Sequence, residues 1–343
     1  AVARGADTVM FFQLRRSVGA CEKFHGAVIE HAGHEHTRVF REVAELGEEL
    51  RRLGDRVIDA RVEAKVAILY DWENRWAVSL SSGPSIALDY LKEVHKYYDA
   101  LFRRNIQVDM IGVDEPLDKY DIVIAPVLYM VKPGYAAKLE GFVGRGGTFV
   151  TTFFSGIVDE RDIVRIGGYP GELRRLLGIW AEEIDALPPD RKNRIVMTKP
   201  FGDLAGEYAC GLLCDLIHLE GAEAIAVYGD DFYAGMPVVT VNRFGAGQAW
   251  YVASSPEAAF LEGFLGRLCA DRNIRPLVAR APEGVECSRR VKDGRGVLFL
   301  LNHNADAREV DLWEGRYTDL LTGEAVEGRT VLPGRGVRLL AEA

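Results

Sequence analysis

The sequence predicts an α/β fold in three segments, and three observations carry that prediction. Residues 64–154 alternate short apolar strands with amphipathic helices, the pattern of a parallel sheet covered on both faces. Residues 275–343 break into short alternating runs divided by Gly-containing turns, the pattern of a small antiparallel β-sandwich. Ahead of both, residues 8–13 read as a strand that feeds a polar loop and then a helix, a βα unit of the sort that closes a barrel. The boundaries follow as 1–62, 63–274 and 275–343.

In the first segment the apolar run through Phe11 and Phe12 ends in a loop that gathers Arg15, Arg16, Glu22, Lys23, Phe24 and His25. Polar groups at the C-terminal end of a strand are where α/β enzymes keep their substrate contacts. Such a strand cannot stand alone, so its sheet partners are expected upstream. The following helix places Val39, Val43, Leu46, Leu50 and Leu53 on one face, with Thr37 as N-cap and Gly54 as stop. Glu48 and Arg52 stand four apart on the solvent side, in the favourable order.

The second segment predicts strands over 66–70, 108–111, 121–125 and 148–154, with helices over 86–105 and 135–143. After Pro188-Pro189 the pattern turns β-rich, with strands over 224–228, 237–242 and 248–253 and a closing helix over 256–270. The third segment reads as strands over 285–291, 296–301, 308–312, 317–320 and 336–340, with Lys292-Asp293-Gly294 as a hairpin turn.

Composition narrows the function. The 343 residues are 48% hydrophobic and 27% charged, a soluble globular balance able to bury a large core. A net charge of −9 without a long basic run argues against a nucleic-acid partner. The longest apolar runs, such as 297–301, are too short to span a bilayer, so no membrane partner is expected. Five cysteines without a CxxC pair suit a reducing compartment, and no signal peptide is visible; a cytoplasmic location is expected.

Glu22 and His25, three residues apart, pair an acceptor carboxylate with an imidazole able to bind vicinal sugar hydroxyls, and Phe12 can cover an apolar sugar face. The alternative is a loop anchored by a Glu–Lys or Glu–Arg pair with His25 exposed. His31, His34 and His36, beside Glu30 and Glu35, sit in a loop before a helix, where polar residues solvate rather than ligate metal; no metal site is expected. Cys210, Cys214 and His218 recur every fourth residue and would share a helix face, with inert packed thiols. Gly144-Arg145-Gly146-Gly147 follows a helix and opens a strand, the reverse of a dinucleotide loop, and reads as a turn. No Walker motif and no GxSxG elbow occurs, and no cysteine stands just beyond a parallel strand, which disfavours an amidotransferase-like enzyme. Asp71-Trp72-Glu73 follows the first strand of the second segment, facing a ligand or partner, or packed by Trp72 and Trp76 themselves.

The run Phe12-Gln13, Arg16-Ser17 and Gly19-Ala20-Cys21-Glu22-Lys23-Phe24-His25-Gly26-Ala27, continued by Thr37-Arg38-Val39-Phe40, resembles the last barrel strand and loop of glycoside hydrolase family 42 β-galactosidases. Tyr70-Asp71-Trp72-Glu73-Asn74, Leu128-Tyr129-Met130-Val131, Ser155-Gly156-Ile157-Val158-Asp159-Glu160 and Gly167-Gly168-Tyr169-Pro170-Gly171 are similar to the family's middle domain. The resemblance implies the end of a (β/α)8 barrel, a flavodoxin-like or glutamine-amidotransferase-like α/β trimerisation domain, and a small antiparallel β-domain. It further implies a homotrimer and a retaining mechanism with two carboxyl groups about 5 Å apart. Both catalytic glutamates of the family stand on earlier barrel strands and have no counterpart here, so no catalytic residue is assigned in this chain. Phe12, Glu22 and His25 match positions that line the galactose subsite. No cofactor is implied for this chain, and where the family carries a cysteine-ligated zinc its ligands lie upstream. The chain departs from the family at Leu14, where Trp is common, and loses that ring's stacking surface. The rival from another class is a non-catalytic sugar-binding or oligomerisation protein.

Overall fold

The computed structural model describes residues 1–81 and 83–342, so Ala343, the last residue of the expected β-domain, lies outside the described residues. The chain divides into two compact units, residues 64–276 and residues 1–63 together with 277–343. The N-terminal and C-terminal segments, separate in the sequence reading, therefore share one unit.

The 64–276 unit is built on a mixed eleven-stranded sheet. Strands Val108–Ile111, Val66–Leu69, Ile122–Ala125 and Thr148–Thr152 lie side by side in that order and in parallel, and Gly247–Val252 joins them, parallel to Thr148–Thr152. Val66–Leu69 and Ile122–Ala125 are apolar at every position and buried at every position, as strands covered on both faces must be. Helices Trp72–Leu80 and Tyr90–Arg103 each begin at an aspartate that accepts a backbone N–H, Asp71 from Asn74 and Asp89 from Lys92. Beyond Gly247–Val252 the sheet continues antiparallel through Pro237–Phe244, Glu223–Tyr228, Asn193–Met197 and Glu207–Leu219. Ile179–Ala186 and Ser254–Pro256 pair with the last of these. The strands Ile179–Ala186 and Asn193–Met197 were not foreseen from the pattern.

Glu207–Leu219 corrects one expectation: Cys210, Cys214 and His218 lie on a strand, not a helix. A four-residue spacing satisfies both a helical face and the two-residue period of a strand, so the pattern could not separate them. Both thiols are buried, while His218 stacks on Trp180 at 4.4 Å and bonds Glu182 at 2.6 Å. Gly144-Arg145-Gly146-Gly147 does join the helix Tyr135–Gly144 to the strand Thr148–Thr152.

In the other unit the C-terminal strands form one six-stranded antiparallel sheet rather than the two facing sheets of a sandwich. Its order is Arg61–Val62, Val285–Lys292, Arg295–Asn302, Val337–Glu342, Arg308–Asp319, Ala325–Leu332. The run Val297 to Leu301 explains the difference, because both faces of its strand are covered. Leu298 and Leu300 pack with Val310, Val326, Leu332 and Leu340. Val297 and Phe299 pack with Ala3, Leu53 and Val57 of the N-terminal segment, which supplies the second layer. Arg290 ties the two together: its buried guanidinium donates to the carbonyls of Val2, Ala6 and Ala60 and pairs with Asp7 at 2.7 Å. Helix Arg38–Leu53 is capped by Thr37 and stops at Gly54. Glu48 pairs with Arg51, three residues on, instead of Arg52.

The expected strand over 8–13 does not form a ladder among the described residues. A strand exists by its pairing, and here the pairing is limited to a parallel bridge between Arg15 and Ile29, with Val28 N–H on the Gln13 carbonyl.

Candidate functional site

The loop from Gln13 to His31 is anchored to itself at several points. Backbone bonds run from Ile29 N to Leu14 O (2.7 Å) and from Arg16 N to Ile29 O (3.0 Å), closing its base. The Ser17 hydroxyl donates to Gln13 Oε1 (3.2 Å), and the His31 imidazole bonds the Ser17 carbonyl (2.8 Å). Arg16 donates through Nη1 to Glu30 Oε2 (2.5 Å) and through Nη2 to the Phe24 carbonyl (2.8 Å).

Within this frame Cys21–Phe24 makes a single 3-10 turn that displays Glu22, and His25 follows, its N–H on the Glu22 carbonyl at 3.0 Å. Phe12 and His25 meet edge to face, with ring centroids 6.4 Å apart. Phe12 remains 73% exposed, and Glu22 and His25 are exposed beside it. The structure thus brings Phe12 and His25 into contact and leaves the Glu22 carboxylate exposed on the turn just before His25. Phe11 and Phe12 also border a groove of about 480 Å³ whose other wall is Val39, Val43 and Leu46 of the following helix.

The anchoring ion pair of the loop is Arg16–Glu30. Glu22 makes no ion pair among the described residues, which leaves its carboxylate available to a ligand. The Arg16–Glu30 pair is a Glu–Arg anchor of the kind the sequence offers as the alternative reading, although a fourteen-residue separation gives no periodic signal that these two residues form it. The three loop histidines diverge: His31 holds Ser17, while His34 and His36 tilt against each other at 5.4 Å. Among the described residues no group of three or more His, Cys, Asp and Glu side chains is placed to hold a metal ion.

In the 64–276 unit, Asp71 caps its helix and accepts from Lys132 at 2.9 Å, and Lys132 also pairs with Glu73. Trp72 and Trp76 are more than half exposed, their rings 6.2 Å apart. The thiols of Cys269 and Cys287 are pushed up to about 12 by burial, as packing residues rather than nucleophiles. A fully buried carboxylate, Asp215, accepts from the Phe154 N–H (2.9 Å) and the Tyr251 hydroxyl (2.5 Å). Desolvation raises it to about 6, and its Oδ1 has no partner among the described residues.

Three family models cover most of the chain. The one described as "Beta-galactosidase trimerisation domain" matches residues 64–275, "Beta-galactosidase" matches 1–53, and "Beta-galactosidase C-terminal domain" matches 284–342. The chain belongs to glycoside hydrolase family 42. Within the family it is 66% identical over 342 residues to the β-galactosidase BgaA of Planococcus sp. strain SOS Orange, covering 100% of this chain and 50% of that protein. The β-galactosidase BglY of Alicyclobacillus acidocaldarius is 47% identical over 344 residues, covering 99% and 50%. The crystal structure of the β-galactosidase from Bacillus circulans sp. alkalophilus superposes with a TM-score of 0.97 at 63% identity, over 100% of this chain and 50% of that one. The chain therefore spans about half the length of the family members it matches.

Proposed function

We propose that the chain is the C-terminal part of a retaining β-galactosidase that hydrolyses terminal non-reducing β-D-galactosides. The observation that carries the reading is similarity along the whole of this chain to half of a family 42 β-galactosidase, at 66% identity over 342 residues. In a retaining hydrolase one carboxylate attacks the anomeric carbon while a second carboxyl protonates the leaving oxygen; water then reverses the sequence. Both groups belong to the upstream half, so this chain alone is inactive and contributes binding. Glu22 accepts from galactose hydroxyls, His25 bonds a neighbouring hydroxyl, and Phe12 covers the sugar's apolar face.

The exposed apolar side chains Met10, Phe11, Leu14, Val18 and Phe24 support residues 1–62 as the last βα unit of a (β/α)8 barrel, whose earlier strands would cover them. The 64–276 unit serves as a flavodoxin-like, amidotransferase-like trimerisation domain of a homotrimer; exposed Trp72, Trp76 and Leu80, at four-residue steps on one helix, support it as a contact face. Among the described residues no helix is long and apolar enough to cross a membrane; a cytoplasmic location is part of the proposal. The test is galactose affinity in the chain completed by its upstream coding sequence. E22Q and H25A should each weaken inhibition by free galactose at least tenfold, on the order of one charge-assisted hydrogen bond. Unchanged inhibition in both would remove these residues from the subsite.

A further inference from the structure

We propose that Arg16 and Glu30 are positioning residues that set the geometry of the galactose subsite, an inference that rests on the β-galactosidase reading. The geometry points to this role because Arg16 does more than close the base of the loop. One arm of its guanidinium is held by the Glu30 carboxylate at 2.5 Å; the other reaches the Phe24 carbonyl at 2.8 Å, in the middle of the loop. Phe24 is the last residue of the turn that displays Glu22, and His25 follows it directly. The acceptor therefore lies on the backbone between the two residues assigned to the sugar, immediately before His25. Movement at Phe24 moves both.

The turn has little else to hold it. All four residues Cys21 to Phe24 are exposed, and the turn has no side-chain cap. Its entry residue, Ala20, sits at φ 57, in the left-handed region that non-glycine residues rarely occupy. Arg16 and Glu30, by contrast, keep only 24% and 22% of their side-chain surface. A half-buried, two-point guanidinium clamp thus fixes an otherwise exposed turn. A planar fork with two directed donors fits this task, whereas a lysine ammonium, a single compact charge at the end of a flexible stem, cannot span both acceptors in the same way.

The experiment uses the chain completed by its own upstream coding sequence, with R16A, R16K and E30Q. Inhibition by galactose, kcat and KM on an aryl β-galactoside, and melting temperature are measured for each. Misplacing binding groups by an ångström or so lowers rates by up to about a hundredfold. R16A and R16K should therefore raise the galactose inhibition constant and KM at least tenfold while the melting temperature stays near that of the parent. Millimolar guanidinium should partly restore R16A, and E30Q should fall between parent and R16A. In the 343-residue chain, amide exchange over residues 18–26 should accelerate in R16A. An active parent whose R16A and R16K bind galactose normally overturns the positioning role alone. A parent that cleaves no β-galactoside overturns the β-galactosidase reading and this inference with it.

Discussion

Replacing Asp215 with Asn should make the protein more stable at neutral pH and change little near pH 4. The carboxyl is fully buried between the Phe154 N–H and the Tyr251 hydroxyl, both of which bond the same oxygen. Its second oxygen finds no partner among the described residues. Burial raises the group from 3.8 to about 6. A raised carboxyl contributes its stability below the unfolded value and loses it as pH climbs through the folded one. Roughly two pH units at about 1.4 kcal/mol each amount to about 3 kcal/mol lost between pH 4 and pH 7. The D215N amide keeps an oxygen for the two donors and never ionises, so it is spared that loss. Its NH2 occupies the place of the unpartnered oxygen, where the protonated acid also leaves its hydroxyl, so the two proteins should match near pH 4. Urea unfolding of both chains at pH 4, 5, 6 and 7 isolates the effect, because the other titrating groups cancel in the difference. The D215N advantage should grow to about 3 kcal/mol across that window. A difference that stays flat with pH would mean that Asp215 does not carry the raised value, and the argument would fail.

Three further variants probe packing and assembly. Gly156→Ala puts a methyl group 2.0 Å from the Pro170 carbonyl oxygen at φ +66, and all three close contacts are backbone atoms of Pro170; it should cost about 3 kcal/mol or more, or prevent soluble expression, and a variant melting within a degree of the parent would refute the close approach. Arg290→Met removes the buried donor to three backbone carbonyls, so a loss of about 3 kcal/mol is expected in urea unfolding; an unchanged midpoint would mean that the staple is dispensable. W72A/W76A, on the exposed helix face, should shift the particle mass in light scattering of the upstream-completed protein from trimer toward monomer; an intact trimer would clear this face of the assembly role.

Much of the 64–276 unit was legible because its central strands are apolar at every position, whereas the sequence reading has a loop at the helix Trp72–Leu80 and starts the helix Tyr90–Arg103 four residues early. The errors fell where one pattern serves two structures. Cys210, Cys214 and His218 satisfy helix and strand alike, and the strand that carries them is kinked at Leu212, φ 71, which masks its alternation. The continuous run at Val297 to Leu301 reads as one strand of a sandwich, and nothing in it tells that the N-terminal segment rather than a second sheet covers one of its faces. At the site, Phe12, Glu22 and His25 stood close enough in sequence to be read together. Arg16 and Glu30 are joined only by the folded loop, and Asp215 is an ordinary acid until the strands around it remove its water.

The most direct test of the central claim is hydrolysis of a chromogenic β-galactoside by two proteins, the 343-residue chain and the same chain with its upstream coding sequence. The account predicts turnover by the longer protein, with retention of anomeric configuration, and none above background by the chain alone. Turnover by the chain alone would place catalytic carboxylates within it, and an inactive longer protein would contradict the β-galactosidase assignment in favour of a sugar-binding or assembly role.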